Sequence, residues 1–103
     1  MNRTITIDAI KVELSKREPR PISDNEFSKQ YLNRSRSYLA VIRHKQTDVS
    51  ESALLALYRN LTSLSSSWKD IAESSSLLTT SRAWQNHLLY EELSVLVWRD
   101  IRQ

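Results

Sequence analysis

The 103-residue sequence contains no cysteine and no glycine. Without cysteine the chain has no disulfide scaffold, no thiol nucleophile and no cysteine-ligated zinc site. Without glycine it has none of the glycine-rich loops that cradle phosphates in P-loop and dinucleotide-binding proteins. Apolar runs are also short, far below the ~20 residues of a membrane span. The charged N-terminal segment MNRTITIDAIKVELSK does not resemble a signal peptide, so we expect a soluble, cytoplasmic protein.

Groups able to support catalysis or bind metal are also few. His44 and His87 lie far apart and lack the spacing of metal ligands. Glu91 and Glu92 are adjacent, so a helix does not present them on one face as a carboxylate pair. Neither histidine has a visible partnered arrangement with any of the many serines. We therefore predict no metal, no cofactor and no enzymatic activity.

The charged residues are unevenly distributed along the chain. The formal net charge is only +3, but no acidic residue lies between Glu26 and Asp48. Five basic residues fall in that interval: Lys29, Arg34, Arg36, Arg43 and Lys45. A local positive field of this kind suits phosphate groups. The alternative is a chance run of one sign on an ordinary solvated surface.

Apolar residues recur at helical spacing and predict an all-α fold of five or six helices in a single domain. The first helix is expected to begin near Thr6 or Ile7 and to be ended by the prolines of REPRP. Ser23 and Glu26 form a capping box that predicts the start of a second helix. This helix is expected to end near Leu32.

The next segment predicts a turn followed by two further helices. Asn33 tolerates the left-handed backbone that a turn requires. Ser35 is the predicted N-cap of a third helix over residues 35–45, with Leu39 and Ile42 facing inward. Ser50 is the predicted N-cap of a leucine-rich fourth helix.

The C-terminal third contains a serine-rich stretch and a long apolar helix. The stretch TSLSSSWKDIAESSS predicts caps and connections around a short helix carrying Trp68 and Ile71. The last helix is predicted over about 81–102 and is apolar over more than half of its circumference. Either the other helices wrap it, or part of it meets a second chain. The expected dimer or partner interface consists of Trp84, Leu88, Val95 and Trp98.

Residues 26–61 resemble the Cro/lambda-repressor-like helix-turn-helix family. A helix, a turn, a second helix, a polar loop and a leucine-striped helix follow in order, within a module at about 23–63. The residues that carry the resemblance are Phe27, Ser28, Ser35, Leu39, Ile42, Ser50, Leu54, Leu57 and Leu61. The chain departs from the family pattern by one extra residue before the turn, by Asn33 instead of a turn glycine and by Arg43 instead of an acidic residue.

The resemblance implies a sequence-specific DNA-binding transcriptional regulator that uses residues 35–45 as its recognition helix. We expect it to act as a dimer, because a single small module seldom buries enough DNA contact for tight specific binding. Short polar and basic side chains facing outward fit the major groove, and the expected base contacts are Arg36, Ser37, Ala40 and Arg43. The expected phosphate contacts are Lys29, Arg34, His44 and Lys45. The alternative is a protein-interaction module on the same fold, such as an antagonist of a transcription factor.

Overall fold

The fold, described here from a computed structural model over residues 3–74 and 77–102, is all-α, as the sequence predicts. The described residues form five helices: α1 (Arg3–Ser15), α2 (Asp24–Gln30), α3 (Tyr38–Lys45), α4 (Glu51–Ser74) and α5 (Leu77–Arg102). None of the helices within these ranges combines the length and the apolar character that crossing a membrane requires.

The two longest helices, α4 and α5, pack against each other in antiparallel orientation. The ring of Tyr58 meets that of Trp98, while Ser65 meets His87, so later residues of α4 contact earlier residues of α5. All five helices contribute buried apolar side chains to one core. Its fully buried members include Ile7, Ile10, Phe27, Leu39, Leu54, Leu57, Leu61 and Val97. The shorter helices α1 to α3 therefore share the core of the α4–α5 hairpin.

Helix α1 begins at Arg3, earlier than the expected start near Thr6 or Ile7. The carboxylate of Asp48, in the loop between α3 and α4, accepts hydrogen bonds from the backbone N–H groups of Arg3 (2.9 Å) and Thr4 (3.1 Å). Although burial opposes the charged form, these bonds hold the pKa of Asp48 below its ordinary value. A cap supplied from so far along the chain has no local sequence signal, so the expected start was wrong.

The predicted start of α2 is confirmed. The Ser23 hydroxyl oxygen accepts a hydrogen bond from the backbone N–H of Glu26 at 3.1 Å. The helix ends at Gln30, two residues before the expected Leu32, because the N–H groups of Tyr31 and Leu32 both donate to one carbonyl, that of Phe27. The turn predicted at the next residue is also confirmed, since Asn33 has a φ of 55°.

Helix α3 begins at Tyr38, so the prediction that Ser35 caps it was wrong. The Ser35 carbonyl instead accepts a hydrogen bond from the Tyr38 N–H at 3.1 Å and closes a turn before the helix. Ser37 occupies the N-cap position without a hydrogen bond from its side chain. Leu39 and Ile42 are buried, as predicted. The connection between α2 and α3 is therefore longer than the sequence suggested.

Helix α4 begins after Ser50, whose hydroxyl oxygen accepts a hydrogen bond from the Ala53 N–H at 3.2 Å, as predicted. It then continues to Ser74, so the prediction of caps and connections around a separate short helix was wrong. The inward stripe of Leu61 continues through the buried Ser65 and Ala72 at helical spacing, and Ser65 contacts His87 of α5. Packing against α5 therefore outweighs the preference of serine for caps and turns.

Helix α5 begins at Leu77, before the expected start near residue 81, and extends to Arg102 as predicted. Its outward side exposes apolar side chains. The exposed fractions are 36% for Trp84, 57% for Leu88, 44% for Val95 and 41% for Trp98. Of the two arrangements considered for this helix, the one in which the other helices wrap it is therefore wrong for the described residues.

Candidate nucleic-acid interface

The contact between α2 and α3 depends on a fully buried serine. The Ser28 hydroxyl donates to the carbonyl of Asp24 at 2.8 Å and accepts from the N–H of Leu39 at 3.2 Å. The carbonyl of Ser28 also accepts from the N–H of Arg34 at 3.0 Å. Leu39 lies in the first turn of α3, where backbone N–H groups have no partner within the helix. Ser28 therefore fixes the start of α3 against α2.

An ion-pair network fixes the other end of α3. The Arg43 guanidinium binds Asp24 through Nε at 2.8 Å and Asp8 through Nη2 at 2.7 Å. The Lys11 ammonium binds the same Asp24 carboxylate at 2.6 Å. The hydrogen bond from Arg43, with that from Lys11, holds the pKa of Asp24 below its ordinary value against the opposing effect of burial. The two carboxylates in turn raise the pKa of Arg43.

This network gives Arg43 a different setting from the one expected for a base contact. Its guanidinium lies between Asp8 of α1 and Asp24 of α2, so its charge and several of its donors are already engaged within the chain. A contact between these donors of Arg43 and DNA would require the bonds to Asp8 and Asp24 to break. The geometry therefore favours a positioning role for Arg43, which fixes α3 relative to α1 and α2.

The other residues expected to contact DNA lie on an open surface, except for Arg34. Among the described residues, no hydrogen bond or ion pair engages the side chains of this exposed set: Lys29, Arg36, Ser37, Ala40, His44 and Lys45. The half-buried Arg34 places its guanidinium carbon 5.8 Å from the centre of the Tyr38 ring and donates to the Ser52 hydroxyl. The exposed sides of α2 and α3 and the turn between them thus carry the unpaired cations, whereas the first turn of α4 carries the acidic Glu51.

His87 has a partner that the sequence did not reveal. Its Nδ1 lies 2.9 Å from the carbonyl oxygen of Ser65 and 2.8 Å from the hydroxyl of the same residue. That hydroxyl donates in turn to the His87 carbonyl at 3.1 Å. Because a carbonyl can only accept, Nδ1 carries the proton and does not serve Ser65 as a base. The pair links α4 to α5, and no spacing rule predicts it across 22 residues.

Two further polar contacts were missed for the same reason. Asp8, Asp24 and Lys11 belong to different helices, and only their packing shows that they meet Arg43. Ser28 and Leu39 also lie in different helices, so no local pattern predicts the hydrogen bond between the Leu39 N–H and the Ser28 hydroxyl. Within residues 3–74 and 77–102, no group of three or more metal-ligating side chains could hold a metal ion.

Comparison with known proteins adds the family but no function. No curated protein matches the chain. No solved structure matches it either. A family model described as a family of unknown function, DUF6626, matches residues 16–102. This range contains all of α2, α3 and α4, and α5 as described, whereas α1 lies before it. Because the match extends over most of the sequence, the chain belongs to the DUF6626 family.

Proposed function

We propose that the chain binds double-stranded DNA through its basic face, defined as Lys29, Arg34, Arg36, Ser37, Ala40, His44 and Lys45. The observation that carries the proposal is the absence of any acidic residue between Glu26 and Asp48, combined with three exposed cations that the described residues leave unpaired. These cations are Lys29, Arg36 and Lys45.

The shape of this face also supports DNA as the ligand. Ser37 and Ala40 are small and exposed, so a DNA groove can approach the backbone of α3 closely. Arg36 lies in the turn just before the helix, where its guanidinium can reach a base edge. Lys29 and Lys45 are suited to phosphate contacts, which orient a protein on the duplex.

Most of the nearby acidic groups are paired within the chain, and the exposed Glu51 in the first turn of α4 is the exception among the described residues. Asp24 is neutralised by Arg43 and Lys11, and Asp8 is paired with Arg43. Glu26 pairs with Arg20 at 3.2 Å. The network that positions α3 thus also removes negative charge from the region around it. This arrangement supports an electrostatic attraction to phosphate, which is local because the net charge of the chain is small.

The test is the salt dependence of binding to a pool of mixed duplexes, measured by fluorescence anisotropy. The wild type is compared with the triple variant Lys29→Ala, Arg36→Ala, Lys45→Ala. Each lost phosphate contact lowers the slope of log K against log salt by about 0.9, so we expect the slope to fall by about 2 to 3. We also expect weaker binding at low salt.

A matched control distinguishes the effect of the basic face on DNA binding from the effect of a lower net charge. The triple variant Arg59→Ala, Lys69→Ala, Arg82→Ala removes three exposed cations of α4 and α5, and both triple variants lower the formal net charge from +3 to zero. We expect the control to bind almost as the wild type does. Equal losses in both variants, or no wild-type binding at low salt, would show that the basic face is not a DNA-binding site.

The exposed apolar side of α5 favours a second function, a protein-interaction module. Four large apolar side chains, Trp84, Leu88, Val95 and Trp98, are each exposed by more than a third. Exposed patches of this kind mark interaction sites. The two functions use different surfaces of the chain, so they are compatible.

A further inference from the structure

The exposed residues of α5 follow a coiled-coil repeat. Starting from Trp84, steps of four, three, four, three and four residues reach Leu88, Glu91, Val95, Trp98 and Arg102, all of them exposed. We call these six residues the α5 seam. Because they recur on average every 3.6 residues, they form one stripe along about 27 Å of helix. Such a stripe is the pattern by which one helix packs against another.

Two aromatic contacts fix the tryptophans of the α5 seam in place. The Trp98 ring lies 5.3 Å from that of Tyr58 on α4. The rings of Trp84 and His87 meet edge to face, with 5.5 Å between their centres. Both tryptophans still expose more than a third of their surface. A partner helix would therefore meet aromatic side chains that are already oriented, which reduces the entropy lost on binding.

We propose that two copies of this chain associate through the α5 seam in antiparallel orientation, with the twofold axis crossing the seam at the level of Leu93 along the helix. In this register Leu88 of one copy faces Trp98 of the other, and Val95 faces Glu91. At each end Trp84 faces Arg102, which places a guanidinium on an indole ring, a favourable cation–π pair. The seam is thus complementary to itself when it is reversed.

Charge favours the antiparallel orientation over the parallel one. A parallel pair would place Glu91 directly against Glu91 of the second copy within the apolar seam. The antiparallel pair separates these two carboxylates by about four residues, or ~6 Å along the axis. The contact between Trp84 and Arg102 forms twice by symmetry.

The first test is sedimentation equilibrium of the full chain without DNA, over a range of concentrations. We expect a reversible dimer, and we expect Leu88→Glu to weaken it by about tenfold or more, because a carboxylate would be buried in an apolar seam. The matched control is Val12→Glu on α1. Val12 and Leu88 are both 57% exposed, and Val12 lies outside the seam in a groove between α1 and α5. We expect Val12→Glu to leave the dimer unchanged.

Introduced cysteines test the orientation, because the native chain has none. Leu88→Cys and Trp98→Cys are prepared as separate variants and oxidised alone or mixed. In the antiparallel dimer only the mixture forms a disulfide-linked dimer. Cross-linking of either variant alone would indicate parallel pairing and overturn the proposal.

The sedimentation and cross-linking experiments contain no DNA, so they test the dimer separately from the proposed DNA binding. A wild type that stays monomeric at every concentration overturns the proposal and would favour a different protein as the partner of the seam. A dimer that Val12→Glu disrupts and Leu88→Glu does not would place the interface in the α1–α5 groove, which also overturns it.

Discussion

The α2–α3 unit and the α4–α5 hairpin are held in place by different interactions. Helices α2 and α3 have 7 and 8 residues, too short to be stable alone in water. Their placement depends on polar contacts made by Ser23, Ser28 and Arg43 in addition to a few buried apolar side chains. Helices α4 and α5 have 24 and 26 residues and pack largely through apolar side chains. The chain thus combines an apolar support with a basic surface that polar contacts position.

Substitution of a buried leucine in the hairpin should have the largest effect on stability. Leu61 is fully buried, so Leu61→Ala is expected to lower the free energy of unfolding by about 2–5 kcal/mol. Leu88→Ala, on the exposed side of α5, is expected to change it by no more than about 0.5 kcal/mol in a dilute sample. Urea unfolding followed by circular dichroism measures both. Similar losses in the two variants would mean that the outer side of α5 is buried within one chain.

Loss of the Ser28 hydroxyl should have the next largest effect. Ser28→Ala leaves the buried N–H of Leu39 without its acceptor, so we expect a loss of about 1–3 kcal/mol. Ser63→Ala, on the exposed side of α4, is the control and should have little effect. Hydrogen exchange should show faster exchange of the Leu39 amide in Ser28→Ala. An unchanged exchange rate would show that Ser28 does not position α3.

Helical periodicity predicted the fold more accurately than it predicted the helix ends. The inward positions of Leu39 and Ile42 and the caps at Ser23 and Ser50 were correct, because each depends on residues within one turn. The start of α1 was wrong because its cap, Asp48, lies in a distant loop. The prediction of connections in the serine-rich part of α4 was wrong because packing against α5 overrides the preference of serine for caps.

The candidate surfaces were predicted in part. The exposed positions of Arg36 and Ala40 follow from the burial of Leu39 and Ile42 on the opposite side of the same segment. The partners of Arg43 could not be predicted, because they meet it only through the packing of α1 and α2 against α3. Sequence periodicity identifies which side of a helix faces outward, but it does not show which charged residues are neutralised.

The smallest of these effects should come from the ion-pair network, and it should depend on pH. Asp24→Asn removes the carboxylate that binds Arg43 and Lys11. Because both bonds are partly exposed, we expect a loss of about 1 kcal/mol at pH 7. The control is Asp70→Asn, which removes an exposed carboxylate on α4 that has no side-chain partner among the described residues.

The direction of the pH dependence follows from the lowered pKa of Asp24 in the folded state. A carboxyl group whose pKa is lower in the folded than in the unfolded state contributes stability above its unfolded pKa of about 3.9, and loses it as the pH falls through the folded value. The difference between the wild type and Asp24→Asn should therefore be largest near neutral pH and shrink below about pH 4. Asp48 also has a lowered pKa, so both proteins should still lose stability in acid. Urea unfolding at pH 7 and pH 3 measures the difference. A gap between wild type and Asp24→Asn that stays constant over this range would show that the Asp24 carboxylate does not stabilise α3 through its charge.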